Sequence, residues 1–235
     1  MKKTTILTLF MAFMSMNVMS QSYMTWLLEE QNWGDQEAIV NMFDKWHKDY
    51  NVTYKSGAFE LIQLEANISD KTTHRFNQYG DINNWGSVEE SPEQGLAFFN
   101  TLFKANNLIA DWTHHESGRA LYSDGNSFDN YPYRMFYRMT IEDLDTYKDA
   151  FKEFMESKEI VDIRGDRPAM MGQTVSGVND GKAYWSYLGF LDREDFLRVT
   201  ETTQNTEAFK KFISTVSDIR TVEETRGETL VKSWK

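Results

Sequence analysis

The chain contains no cysteine. That excludes a thiol nucleophile, a thiolate zinc site, an iron–sulfur cluster and any disulfide, so packing alone must hold the fold. It also removes the cysteine that a lipoprotein would carry after its leader. Basic residues are in the minority, with 25 Lys and Arg against 36 Asp and Glu and a net charge of −11. A surface this acidic repels phosphate backbones and anionic membranes, which argues against nucleic acid as a partner. No Gly-rich phosphate loop, Walker lysine, HExxH or GxSxG occurs, so nucleotide, zinc-protease and serine-hydrolase chemistry have no footing. Beyond the first twenty residues, no apolar run approaches the length needed to cross a bilayer.

Those first twenty residues have their own pattern. Lys2 and Lys3 form a basic start, and Ile6 to Met16 is an apolar run broken only by Thr8 and Ser15. Val18 and Ser20 place small residues at the −3 and −1 positions of a cleavage after Ser20. This is the pattern of a secretory signal peptide, and it is short for a membrane span. The expectation is an exported protein, periplasmic or extracellular, with an uncleaved N-terminal anchor as the alternative.

The rest of the chain reads as one unit written twice. Gln78-Tyr79-Gly80 matches Tyr187-Leu188-Gly189, and the segment around Gly118 matches that around Gly227, each glycine pair 109 residues apart. The expected division is a first unit at 21–124, a Gly/Asn/Asp-rich linker at 125–130 and a second unit at 131–235.

Each unit predicts the order β-α-β-β-α-β. In the second, strands are expected at 131–139, 169–176, 183–191 and 221–234, with a bulge at Gly227. Thr140 with Asp143 reads as a capping box, Asp192 as a helix cap, and Asn179-Asp180-Gly181 as a turn. A single helix follows Asp192, burying Phe209, Phe212 and Ile213 in its later turns. In the first unit, strands are expected at 23–28, 59–66, 74–79 and 113–123, with a turn at 69–71. Ser91-Pro92-Glu93-Gln94 is the best helix start in the chain, and Leu96, Phe99, Leu102 and Phe103 are expected to face inward from it.

This order puts both helices of a unit on one face of a four-stranded antiparallel sheet and leaves the other face bare. The bare positions are Tyr133, Met135 and Tyr137, or else Trp185 and Tyr187, too apolar to leave wet. Two copies solve the problem by turning their bare faces toward each other. The fold class is therefore α+β: two ferredoxin-like units packed sheet to sheet as an intrachain barrel, a pseudo-dimer within one chain.

On that topology and the pairs Gly80/Gly189 and Gly118/Gly227, the chain resembles the dimeric α+β barrel superfamily in fused form. That superfamily includes antibiotic-biosynthesis-type monooxygenases, ethyl tert-butyl ether degradation-type proteins and NIPSNAP-like proteins. The resemblance implies roles from cofactor-free oxygenation through haem binding and haem degradation to ligand binding. No catalytic motif of the superfamily matches residue by residue, so no catalytic residue is carried over.

Among the four histidines, His114 and Glu116 share one face of a strand, with His115 on the other. If His74 lies on a neighbouring strand, it and His114 could form a metal, haem or acid–base site; otherwise both are polar positions on a half-exposed sheet. His47, on a helix, reads as solvated. Arg134 and Arg138 flank Phe136 and suit either a carboxylate ligand or ion pairs with the abundant acids, the latter preferred. Tyr133, Tyr137, Trp185 and Tyr187 line an aromatic pocket for a planar ligand or simply fill the space between sheets. Asp124, Asn126 and Asp129 carry oxygen ligands without the spacing of an EF-hand calcium loop, so no metal is expected.

Three functions follow. The first is an exported module enclosing a small hydrophobic or aromatic ligand, with no cofactor required. The second is an oxygenase-like or haem-handling enzyme using His74, His114, Arg134 and Tyr137. The third is a structural or partner-binding module using the acidic surface and the helix faces.

Overall fold

The computed structural model describes residues 21–32, 34–65, 71–86, 91–124, 126–177 and 183–235. The leader and the turns expected at residues 69–70 and 179–181 lie outside the described residues. The first half runs β1 (Gln21–Glu30), α1 (Asp35–Asp49), β2 (Ala58–Leu64), β3 (His74–Asp81), α2 (Pro92–Ala105) and β4 (Ile109–Ser123). The second runs β5 (Tyr133–Ile141), α3 (Leu144–Glu156), α4 (Lys158–Arg164), β6 (Ala169–Ser176), β7 (Ala183–Phe190), α5 (Arg193–Gln204), α6 (Glu207–Val216) and β8 (Arg220–Trp234).

The helix starts follow local chemistry. Ser91 accepts the Gln94 amide at 3.1 Å ahead of Pro92, and Asp192 accepts that of Asp195 at 2.7 Å. Thr140 is not a cap: β5 continues to Ile141, whose side chain is buried in the core, and Asp143 caps α3 through the Thr146 amide. The single helix expected after Asp192 is two, because Thr206 accepts the Phe209 amide at 3.1 Å and begins α6.

The eight strands form one closed antiparallel barrel in the order β1-β3-β2-β8-β5-β7-β6-β4. Each half contributes four adjacent strands, and the two sheets face each other across a shared interior. Their edges are joined as well, β2 to β8 and β4 to β6, so no edge strand is left open. The helices cover the outside. Beneath them lie two cores, one around Leu28, Phe43, Phe59, Leu61 and Phe76, the other around Met139, Tyr147, Met155, Met171 and Phe212.

The duplication is present in the fold, but its register differs from the glycine spacing. Thr25 pairs with Asn77 and Glu116, as Phe136 pairs with Tyr187 and Arg226. Corresponding positions on β3 and β7, and on β4 and β8, are therefore one residue further apart than the glycines. Alternation along a strand turns that one residue into a change of face. Gly118 and Gly189 turn into the barrel, while Gly80 and Gly227 turn away from it. Gly227 is also not the bulge. On β8 the register slips at Glu223, where Arg138 pairs with Glu224 but Met139 pairs with Val222. A side chain at Gly227 would collide instead with Glu65 and the Tyr133 hydroxyl.

Two burial expectations are corrected. Helix α2 turns Gln94, Phe98, Leu102 and Ala105 to the sheet, while Leu96, Phe99 and Phe103 are exposed. The helix carries two parallel apolar stripes, and spacing alone could not say which one meets the core. His47 is buried, not solvated. Its ring stacks on Trp234, donates from Nδ1 to the Phe43 carbonyl at 2.7 Å and accepts from Tyr54 at 3.1 Å.

Candidate functional site

The barrel interior is polar because of strand alternation. Glu60, Arg75, Glu116, Arg134, Phe136, Arg138, Arg226 and Glu228 all project inward from strands whose opposite faces carry the apolar cores. Arg134 donates to both carboxylate oxygens of Glu60 at 2.8 and 2.9 Å. Arg75 lies 2.9 Å from Glu228 and donates to the Tyr187 hydroxyl, while Arg138 donates to Glu116 at 3.0 Å. Each of these acid–base pairs joins one half of the chain to the other. The guanidinium groups of Arg75, Arg138 and Arg226 lie 6.0, 5.7 and 5.4 Å from the centre of the Phe136 ring.

Burial and pairing set the protonation states here. Burial alone would lower the Arg134 pKa, but Glu60 beside it holds the guanidinium above its ordinary value. The Tyr23 and Tyr187 phenols are pushed up by burial and stay protonated. Tyr23 accepts from the Trp185 indole at 2.8 Å and shares a hydrogen bond with Thr174 at 2.9 Å. What remains open is a cavity of about 70 Å³, lined among others by Tyr23, Arg75, Tyr79, Glu116, Arg134 and Trp185. At about 10–15 Å³ per water-sized group, that is room for roughly five.

The histidine and aromatic candidates divide between the two faces of the barrel wall. Glu116, Arg134, Trp185 and Tyr187 line the central cavity, with Arg138 paired to Glu116 beside it. His114 shares that face, its Nε2 lying 3.4 Å from Glu116. His74 does not meet it. His114 pairs with Leu27 and His74 with Leu28, successive residues of β1 that point to opposite faces. His74 is buried outside the barrel, donating from Nε2 to Gln36 at 2.7 Å and accepting from Thr73 at 2.9 Å. Tyr137 also faces outward, and Tyr133 donates to Glu65. The four aromatics therefore do not share one pocket. The carboxylates of the 124–129 loop are already engaged, Asp124 with Arg164 and Asp129 with Lys235.

A larger pocket lies between the outer face of the second sheet and helices α3 to α6. It has a volume of about 290 Å³, with walls including Tyr137, Met139, Phe151, Leu188, Val199 and Phe212. This approaches the lower end of the roughly 300–1,000 Å³ usual for ligand sites, whereas the barrel cavity falls far below it. Sequence reasoning found Tyr137 but missed the pocket, because its roof comes from α5 and α6, helices remote in sequence from β5. It also missed Glu60, Arg75, Arg226 and Glu228. Their signal was present as charged residues at inward positions of otherwise apolar strands.

A histidine-ligated haem does not fit: the barrel cavity is too small for a macrocycle, and no histidine lines the larger pocket, since all four lie in the first half. Among the described residues no cluster of three or more His, Cys, Asp or Glu could hold a metal ion, and no helix is long and apolar enough to cross a membrane.

No protein-family model and no curated protein sequence matches the chain. Solved structures do. A monooxygenase-like protein from Lactobacillus acidophilus is similar with a TM-score of 0.59 at 10% identity, covering 92% of this chain and 96% of its own. A second, from Fusobacterium nucleatum, gives 0.55 at 11% identity, covering 93% and 95%. An anthrone oxidase-like protein gives 0.51 at 10% identity, covering 92% and 93%. At such identities the likeness is one of fold. The chain has the dimeric α+β barrel fold in its tandem-fused form.

Proposed function

We propose that this protein is exported and binds a small hydrophobic molecule in the pocket between the second sheet and helices α3 to α6. The observation carrying this reading is the pocket itself, about 290 Å³ of space walled by apolar and aromatic side chains. Native interiors pack densely and leave few voids larger than a water molecule, so a space of this size and composition is suited to an occupant. The signal-peptide pattern of residues 1–20 supports export.

The test is titration with N-phenyl-1-naphthylamine, a neutral apolar probe whose emission rises in a dry site. Strong enhancement is expected, and Thr203→Trp, which places an indole in the pocket, should abolish it. Equal enhancement in that variant would place binding elsewhere and overturn the reading.

A second reading, oxygenation of the bound molecule without a cofactor, draws on the monooxygenase-like proteins that share the fold. The largely apolar walls and the phenols of Tyr137 and Tyr147 suit it. Ligand-dependent dioxygen uptake that disappears in Thr203→Trp would favour it over simple binding.

A further inference from the structure

We infer that the ligand of this pocket is a carboxylate on an apolar body, and that Arg220 receives its acid group. The inference rests on the reading of the pocket as a ligand site and specifies what that site selects. In a chain with net charge −11, the described residues of the pocket wall include no Asp or Glu, yet three arginines line it: Arg164, Arg167 and Arg220. Two of them are already paired. Arg164 is bound to Asp124, and Arg167 donates to both carboxylate oxygens of Asp195 at 2.8 and 2.7 Å. Among the described residues Arg220 makes no such ion pair. Its Nε, like that of Arg164, is buried without a hydrogen-bond partner, and its guanidinium lies 5.6 Å from the centre of the Phe212 ring. It hydrogen-bonds the Tyr147 phenol, and its charge lowers the pKa of both Tyr137 and Tyr147 against the larger upward effect of burial.

A half-buried cation with neutral phenols rather than an anion beside it is a charge that an incoming carboxylate would compensate. The guanidinium fork matches a carboxylate in shape, and a phenol can donate to the same group. The bulge at Glu223 makes this arrangement possible. It sends Arg220 and Val222 outward to the pocket while Glu224, Arg226 and Glu228 point into the barrel. At about 10–15 Å³ per water-sized group, as in the barrel cavity, a pocket of about 290 Å³ has room for roughly twenty non-hydrogen atoms. A medium-chain fatty acid fits within that space and has that division between acid head and apolar body.

Decanoate and decanol, which share one apolar body, separate the acid inference from the pocket reading. Calorimetric titration of the full protein should show decanoate binding at least about tenfold tighter, the discrimination expected of a charge-assisted hydrogen bond of about 1.5–3 kcal/mol. Arg220→Gln should remove that advantage while decanol, held mainly by the shared apolar body, still binds, and the retained decanol binding shows that the variant is folded. Arg220→Lys should keep part of the advantage. If wild type binds both compounds equally, or Arg220→Gln keeps the preference, the acid inference is overturned and the pocket reading stands. If neither compound binds, both are overturned.

Discussion

Arg134 on β5 and Glu60 on β2 come from opposite halves of the chain and meet in the barrel interior through two hydrogen bonds of 2.8 and 2.9 Å. Their side chains are only 6% and 2% exposed. A charge in such a place is tolerated because its partner is there, so removing one partner is worse than removing both.

Arg134→Met alone is expected to destabilise the fold by about 3–5 kcal/mol, because Glu60 is left buried and unpaired. Arg134→Met combined with Glu60→Leu should recover most of that loss. Denaturant melts of the two single variants and the double variant would measure the coupling. Additive losses would show that the pair does not hold the halves together.

The glycines differ in what surrounds them. A Cβ at Gly118 would collide with the Gln173 backbone and the Tyr23 ring, neither of which can swing aside. Gly118→Ala should therefore cost about 1–3 kcal/mol. Gly95, within α2, has open space where its Cβ would lie, and Gly95→Ala should stabilise by about 0.5–1 kcal/mol through helix propensity. Thermal unfolding midpoints moving in opposite directions are the expected outcome.

The tail of β8 belongs to the core of the other half. Trp234 stacks on His47, lies 5.8 Å from Phe43 and donates its indole N–H to Asp44 at 2.8 Å. Trp234→Ala is expected to cost about 3–5 kcal/mol. Hydrogen exchange should localise the lost protection to α1, β2 and β3 rather than to α3 and α6. Uniform loss across both halves would show that the barrel unfolds only as one unit.

Stability should fall on mild acidification. Burial holds His47 and His74 at about 4, below the ordinary 6.5. Between those values the unfolded chain binds protons that the folded chain refuses, so stability decreases as pH falls through that window and is greatest above it. The loss should reach roughly 1–3 kcal/mol per histidine near pH 4. Melting at pH 7, 5.5 and 4.5 is the measurement. The double variant His47→Gln, His74→Gln should flatten the slope, and an undiminished slope would assign it to other groups.

Much of this architecture was legible in the chain before any coordinates. The caps at Ser91 and Asp192 and the strand at 169–176 are local features, written in residues a few positions apart. The site was legible only in part. Glu116, Arg134 and Arg138 were recognised as charged positions on strands, but Glu60, the partner of Arg134, was not, since that pairing joins the two halves of the chain. His74 and His114 looked like one site because each lies on a strand of the same half. Their partners on β1 are consecutive residues, so the two rings lie on opposite sides of the wall.

Sequence by itself determined the β-α-β-β-α-β plan, the doubling of the unit, the helix starts at Ser91 and Asp192 and the apolar and polar character of each strand. Tertiary structure decided which face of each strand became the inside. That choice rests on alternation, in which a shift of one residue reverses every side chain that follows. The slip at Glu223, fixed only when β8 pairs with β5, therefore sends Arg226 into the barrel and leaves Arg220 at the pocket.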